Sequence, residues 1–163
     1  MLVALVAVVV IALGLAAWFR GAANQLSASA SANNRALVDV GTTAEVTEQV
    51  REAVTRVYSY DFARLDDNER AAEQVITGQF AQDFHQQFGQ VRQLAPAQQA
   101  VVVATVLNLA VKVLDADRAI LVVFIDQQAS RGIQTPQLVV AGRLTVTAER
   151  VGGRWKIADV QPF

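Results

Sequence analysis

Residues 2–19 read LVALVAVVVIALGLAAWF, eighteen positions without one charged or strongly polar side chain. As a helix this run reaches roughly 27 Å, just enough to cross the hydrocarbon core of a bilayer. A helix that is apolar all round must be enclosed on every side, by lipid or by protein. The reading is a membrane-spanning helix over residues 1–20. Trp18, Phe19 and Arg20 close it as a membrane–water interface requires, with amphipathic rings and then a charge. A cleaved signal peptide is the alternative, and the small residues Ser27, Ala28, Ser29 and Ala30 suit a signal peptidase. Against it, the run exceeds the usual apolar region of roughly 7–15 residues, and no basic stretch precedes it. Arg20 and Arg35 are too few to fix orientation by the positive-inside rule.

The 163-residue chain is then long enough for one domain beside that anchor. Beyond Arg20 there are 13 basic and 15 acidic side chains. That balance provides no broad basic field, which argues against a nucleic-acid partner. The chain has no cysteine, so disulfides and thiolate chemistry are excluded, although the compartment is not fixed. A single histidine, His85, excludes a multi-histidine metal site within one chain. No metal or cofactor is expected.

Residues 21–41 are small and polar at first, and read as a linker or an extension of the first helix. Val38, Asp39, Val40 and Gly41 are expected to break any helix there. The domain is placed at residues 42–163. Thr42 followed by Glu45 is a capping-box spacing. Val46, Val50, Ala53, Val54 and Val57 then recur at helical spacing, predicting a helix over residues 43–60. Asp66, Asp67 and Glu69 suit the start of a second helical stretch running to Leu94, before Pro96, with a break at Gly78. Within it Ile76, Phe80, Phe84 and Phe88 share one face and are expected in the core.

After Pro96 the period changes to two. Residues 99–114 predict a long strand with Val101, Val103, Thr105, Leu107, Leu109, Val111 and Val113 on one face. Val102, Ala104, Val106 and Ala110 make much of the opposite face apolar as well. That pattern fits a strand buried on both sides, or one whose second face meets a partner or another copy. Further strands are expected at residues 118–126, 137–150 and 154–160, with Gly152-Gly153 as a two-residue hairpin turn. Helices followed by antiparallel strands indicate an α+β domain. Because a first strand of about fifteen residues must bend, the expected architecture is cone-like. In it, two to three helices pack on a curved four-stranded antiparallel sheet.

Several segments together resemble the Mce-associated membrane proteins. They are the apolar run, the small-residue linker, YSYDF at residues 58–62, AAEQVITGQF at residues 71–80, RLTVT at residues 143–147 and GRWKIAD at residues 153–159. The resemblance spans nearly the whole chain. It implies a nuclear transport factor 2-like domain behind a single transmembrane helix, in the cell membrane, with a cytoplasmic N-terminus and an extracytoplasmic domain. It also implies a non-enzymatic accessory role in assembling or stabilising a lipid transport system of the Mce type. The expected partners are the lipid bilayer and Mce transporter subunits or other envelope proteins, with lipid as a further candidate. No catalytic residue follows from it.

A cone can enclose a pocket, for which Tyr58, Phe80, Phe84 and Trp155 are the candidate lining residues. A lipid- or sterol-binding module is therefore one alternative function. A small isomerase- or hydratase-like enzyme is another. The latter would need an Asp base and a Tyr donor converging in an apolar cavity. Tyr58, Tyr60, Asp61, His85 and Asp126 are the available groups, and Tyr58 with Asp61 would share a helix face. The ordinary reading is that Tyr58 packs in the core, Asp61 caps a turn, His85 lies at the surface and Asp126 ends a strand.

Overall fold

The computed structural model describes residues 34–36, 39–131 and 138–163. The expected membrane helix, with Trp18, Phe19 and Arg20, lies outside the described residues, as does most of the linker. Among the described residues no helix is long and apolar enough to cross a membrane. Arg35–Phe163 forms one compact unit.

Helix α1 spans Val40–Tyr58. It starts earlier than the valine spacing predicts, because Asp39 and not Thr42 supplies the cap. The Asp39 carboxylate accepts the Thr42 backbone N–H at 3.0 Å, and that bond holds its pKa below the ordinary value. Val40 and Gly41, expected to break a helix, are its first residues. Glu45, the other half of the presumed capping box, pairs with Arg150 instead at 3.0 Å. The predicted face is the buried one, with Val46, Val50, Ala53 and Val54 fully enclosed.

The chain then makes a two-residue strand β1 (Tyr60–Asp61) and a 3-10 turn (Phe62–Arg64), followed by helix α2 (Leu65–Glu73). The helical stretch expected here to break at Gly78 is two helices, the second of which starts at Gly78. Between them Gln74 and Val75 form a turn and Ile76 bridges the last strand in parallel. Ile157 donates to the Val75 carbonyl at 2.9 Å, and Thr77 donates to the Ile157 carbonyl at 2.8 Å. Helix α3 (Gly78–Gln98) carries on through Pro96 for two residues and ends on Gln99 in the left-handed region, φ 48°. Its phenylalanines at 80, 84 and 88 are buried, as is Ile76.

Strands β2 (Ala100–Leu114), β3 (Arg118–Arg131), β4 (Leu138–Val151) and β5 (Arg154–Pro162) complete the domain. The sheet has five strands, not four, in the order β1-β2-β3-β4-β5, every neighbouring pair antiparallel. The hairpin turn at Gly152 and Gly153 has φ of +60° and +80°, a conformation that favours glycine at both positions.

Strand β2 does not present one continuous face to the core. Register shifts against β3 occur between Val106 and Asn108 and between Val111 and Val113. An extra residue in a ladder reverses the side-chain alternation beyond it. Ala100, Val102, Ala104 and Val106 therefore point inward before the first shift. Past it, Leu109 and Val111 pack against the core. The odd-numbered set expected on a single face is thus divided, leaving Val103 and Leu107 exposed. These irregularities, with another between Thr147 and Ala148, bend the sheet around the helices.

Candidate functional site

The cleft with the most apolar lining opens where the end of α1 meets α3 over the concave face of the sheet. It measures about 130 Å³ and is lined by Val57, Tyr58, Tyr60, Phe80, Phe84, Gln87, Phe88, Val91 and Gln127. Four-residue spacing puts the three phenylalanines of α3 on the side that faces it. The Phe84 and Phe88 rings stack at 5.2 Å between centroids and 28° between planes. At the base, Gln127 Nε2 donates to the Tyr58 carbonyl at 3.3 Å, tying β3 to the end of α1. Desolvation pushes the Tyr58 phenol up to about 12 from 10.0. It is therefore a neutral hydrogen-bonding group throughout the physiological range. The cleft can hold an apolar chain end, with two tyrosines and two glutamines among its lining residues.

Of the candidate lining residues, the structure brings Tyr58, Phe80 and Phe84 together in this cleft. Trp155 is elsewhere. Its backbone N–H donates to Gln49 Oε1 at 2.7 Å, and Gln49 precedes Tyr58 by nine helical residues, about 13 Å along α1. The Trp155 ring is 2% exposed, lies 5.6 Å from the Arg150 guanidinium carbon, and is part of the core. Its indole N–H has no hydrogen-bond partner. Gln127 could not be recognised from sequence, because the strand over residues 118–126 is expected to stop at Asp126; as β3 it runs five residues further, to Arg131.

Of the candidate catalytic groups, Tyr58 and Tyr60 share the cleft, but none of Asp61, His85 and Asp126 lines it. Tyr58 is the last residue of α1, so Asp61 does not share a helix face with it. The Asp61 carboxylate accepts the Ala63 N–H at 3.0 Å and pairs with Arg64 at 3.3 Å, both local contacts. Asp126 lies in the middle of β3, opposite Thr105 and Ala141, on the outer face of the sheet.

His85 sits on the outside of α3, half exposed. Its Nδ1 is 3.4 Å from Glu69 and its Nε2 3.7 Å from Glu73, both on α2. The ligand atoms of Glu69, Glu73 and His85 lie within 4.8 Å of one another, close enough to share a cation. Glu69 is already engaged, however. Arg92 donates two hydrogen bonds to its carboxylate and pairs with Asp66 at 2.7 Å. The Arg92 hydrogen bond is the main reason the Glu69 pKa is lowered. A depressed carboxylate adds stability above its unfolded pKa and loses it as pH falls through the folded value. Glu69→Gln is therefore expected to lower the thermal midpoint at neutral pH. The gap from the unsubstituted protein should close on acidification below the ordinary Glu range, as thermal melts at a series of pH values would show. A gap that stays constant with pH would contradict this assignment.

No protein-family model matches the chain, and no curated protein matches it. Solved structures do. CagV of Helicobacter pylori, described as a VirB8 homologue of a type IV secretion system, aligns with TM-score 0.61 at 17% identity, over 73% of this chain and 96% of that one. An IcmL-like type IV secretion system protein of Legionella pneumophila aligns with TM-score 0.62 at 11% identity, over 74% and 91%. The periplasmic domain of DotI aligns with TM-score 0.57 at 16% identity, over 72% and 92%. At these identities the likeness is one of fold, helices followed by a curled antiparallel sheet.

Proposed function

We propose that this chain is a membrane-anchored, non-enzymatic accessory protein. In this reading it assembles with or stabilises a Mce-type lipid transport system, with the domain on the extracytoplasmic side. The observation that carries the reading is the scatter of the titratable groups. Asp61, His85 and Asp126 each serve a different surface, and none joins Tyr58 in the cleft. Acid–base catalysis needs such groups within hydrogen-bond reach of one substrate. A domain lacking that convergence is suited to holding partners. The apolar run at residues 2–19 and the sequence resemblance supply the membrane and the transport system. The shared fold of the secretion-system proteins is compatible with a place in an envelope assembly.

The test is purification of the full-length protein from native membranes in mild detergent, with mass spectrometry of protein and lipid. Transporter subunits are expected without stoichiometric lipid, and deletion of the protein should lower subunit levels and lipid uptake. Unchanged levels and uptake would overturn the proposal.

The aromatic cleft favours a second reading, a lipid- or sterol-binding module. Its 130 Å³ is small beside the roughly 300–1,000 Å³ of small-molecule sites, so a sterol would require the cleft to open. A defined lipid co-purifying with no protein partner would favour this reading.

A further inference from the structure

The two long edges of the sheet are finished differently. Along β2 the outward backbone groups are occupied at intervals. Tyr60 and Asp61 pair with Val102 and Val101, and the Ala104 N–H donates to Ser59 Oγ at 2.9 Å. Arg51 donates to the Val106 carbonyl at 3.0 Å, and the Arg35 N–H to the Leu114 carbonyl at 2.8 Å. Two register shifts further disrupt the edge. These are the devices by which proteins blunt a strand edge.

Strand β4 has none of them over residues 138–142. Its ladder with β5 stops where Leu144 meets Pro162, and the Phe163 N–H closes it by donating to the Arg143 carbonyl. Before that point β4 pairs only with β3, and no described strand pairs with its other side. The open segment is Leu138, Val139, Val140, Ala141 and Gly142. It is uncharged and contains no proline. Leu138, Val139 and Val140 are 59%, 55% and 48% exposed.

We propose that this edge is a strand-addition site for a second copy of the same chain, the two β4 strands pairing antiparallel about a two-fold axis at Val140. Because the Arg143 carbonyl points to the open side, alternation puts the backbone groups of Val139 and Ala141 there as well. Those two residues exchange hydrogen bonds with Ala141 and Val139 of the other copy. Side chains then match by size. Leu138 meets Gly142 of the second copy on the concave face, Val139 meets Ala141 on the outer face, and Val140 meets Val140 on the axis. The Gly142 side must stay bare, since a Cβ there would lie 3.1 Å from Ile125 Cγ1. No like charges oppose one another. An edge that offers only main-chain groups and small apolar side chains recognises extended backbone, and the two-fold makes this segment its own complement.

The absence of cysteine allows a clean test. In the full-length protein in mild detergent, Val140→Cys places two thiols across a non-hydrogen-bonded pair, with Cα atoms about 4.5 Å apart, within disulfide range. Mild oxidation is expected to give a covalent dimer. Val103→Cys, equally exposed but on β2, should remain monomeric. Adding Ala141→Pro to Val140→Cys removes an edge donor and should abolish the dimer. Leu138→Lys should do the same by placing charge on the edge, should the proline variant fail to fold. The proposal is overturned if Val140→Cys gives no dimer, if Val103→Cys cross-links equally, or if the dimer survives both edge substitutions. It is likewise overturned if, in native membranes, Val140→Cys captures only a different protein.

Discussion

Replacing Trp155 by alanine is expected to cost about 3–5 kcal/mol, the range for removing a large aromatic from a well-packed core. The ring is 2% exposed and packs where β5 crosses α1, beneath the Arg150 guanidinium. Trp155→Phe should cost far less. It keeps most of the apolar area and deletes an indole N–H that is buried without a partner, a group whose desolvation works against folding. Urea unfolding of the two variants checks the contrast. Equal losses would mean that the indole nitrogen, and not the ring, is what the site requires.

Val50→Asp is expected to cost at least as much. Val50 is fully enclosed in the seam between α1 and the sheet. Among the described residues no cation is buried in the core, so a carboxylate there must either lose its hydration or break the packing. The cost should be on the order of 4 kcal/mol or more, comparable with the whole stability of many domains. Burial would raise the pKa of the new carboxyl, so the destabilisation should be largest at neutral pH and ease on acidification. Leu94→Asp, at a position 59% exposed on α3, serves as the control and should change stability by no more than about 0.5 kcal/mol. Loss of a cooperative thermal transition in the first variant, and its retention in the second, is the expected outcome.

The residues that revealed the fold from sequence are those whose period is long and uninterrupted. The valines of α1, the phenylalanines of α3 and the Gly152-Gly153 turn each repeat or mark a pattern with one physical meaning, and the structure places them accordingly. What escaped notice is local or non-periodic. Strand β1 is two residues long, too short to have a period, and exists because Tyr60 and Asp61 lie beside Val102 and Val101. The faces of β2 divide where the sequence alternation does not, because a bulge is a property of pairing, not of composition. Asp39 took the cap from Thr42 because one turn of helix earlier was available to it.

The same limits apply to the cleft. Tyr58, Phe80 and Phe84 could be selected as bulky groups near helix ends and faces, but Gln127 became visible only when β3 proved longer than its hydrophobic run. For Trp155, sequence gives no measure of the nine helical residues between its anchor and Tyr58.

The chain enters the domain at Arg35, whose amide is bonded to the last residue of β2, while the open segment of β4 lies at the other end of the same strands. Any tension between a tether at Arg35 and a partner held at residues 138–142 therefore runs parallel to the strands. Loaded that way, the ladders joining β2, β3 and β4 resist in shear, with many hydrogen bonds sharing the strain at once. Had both attachments been at one end, the ladders would have opened one bond at a time, like a zip. The point where the chain enters the domain and the edge proposed for strand addition therefore lie at opposite ends of the same strands, separated along the strand direction.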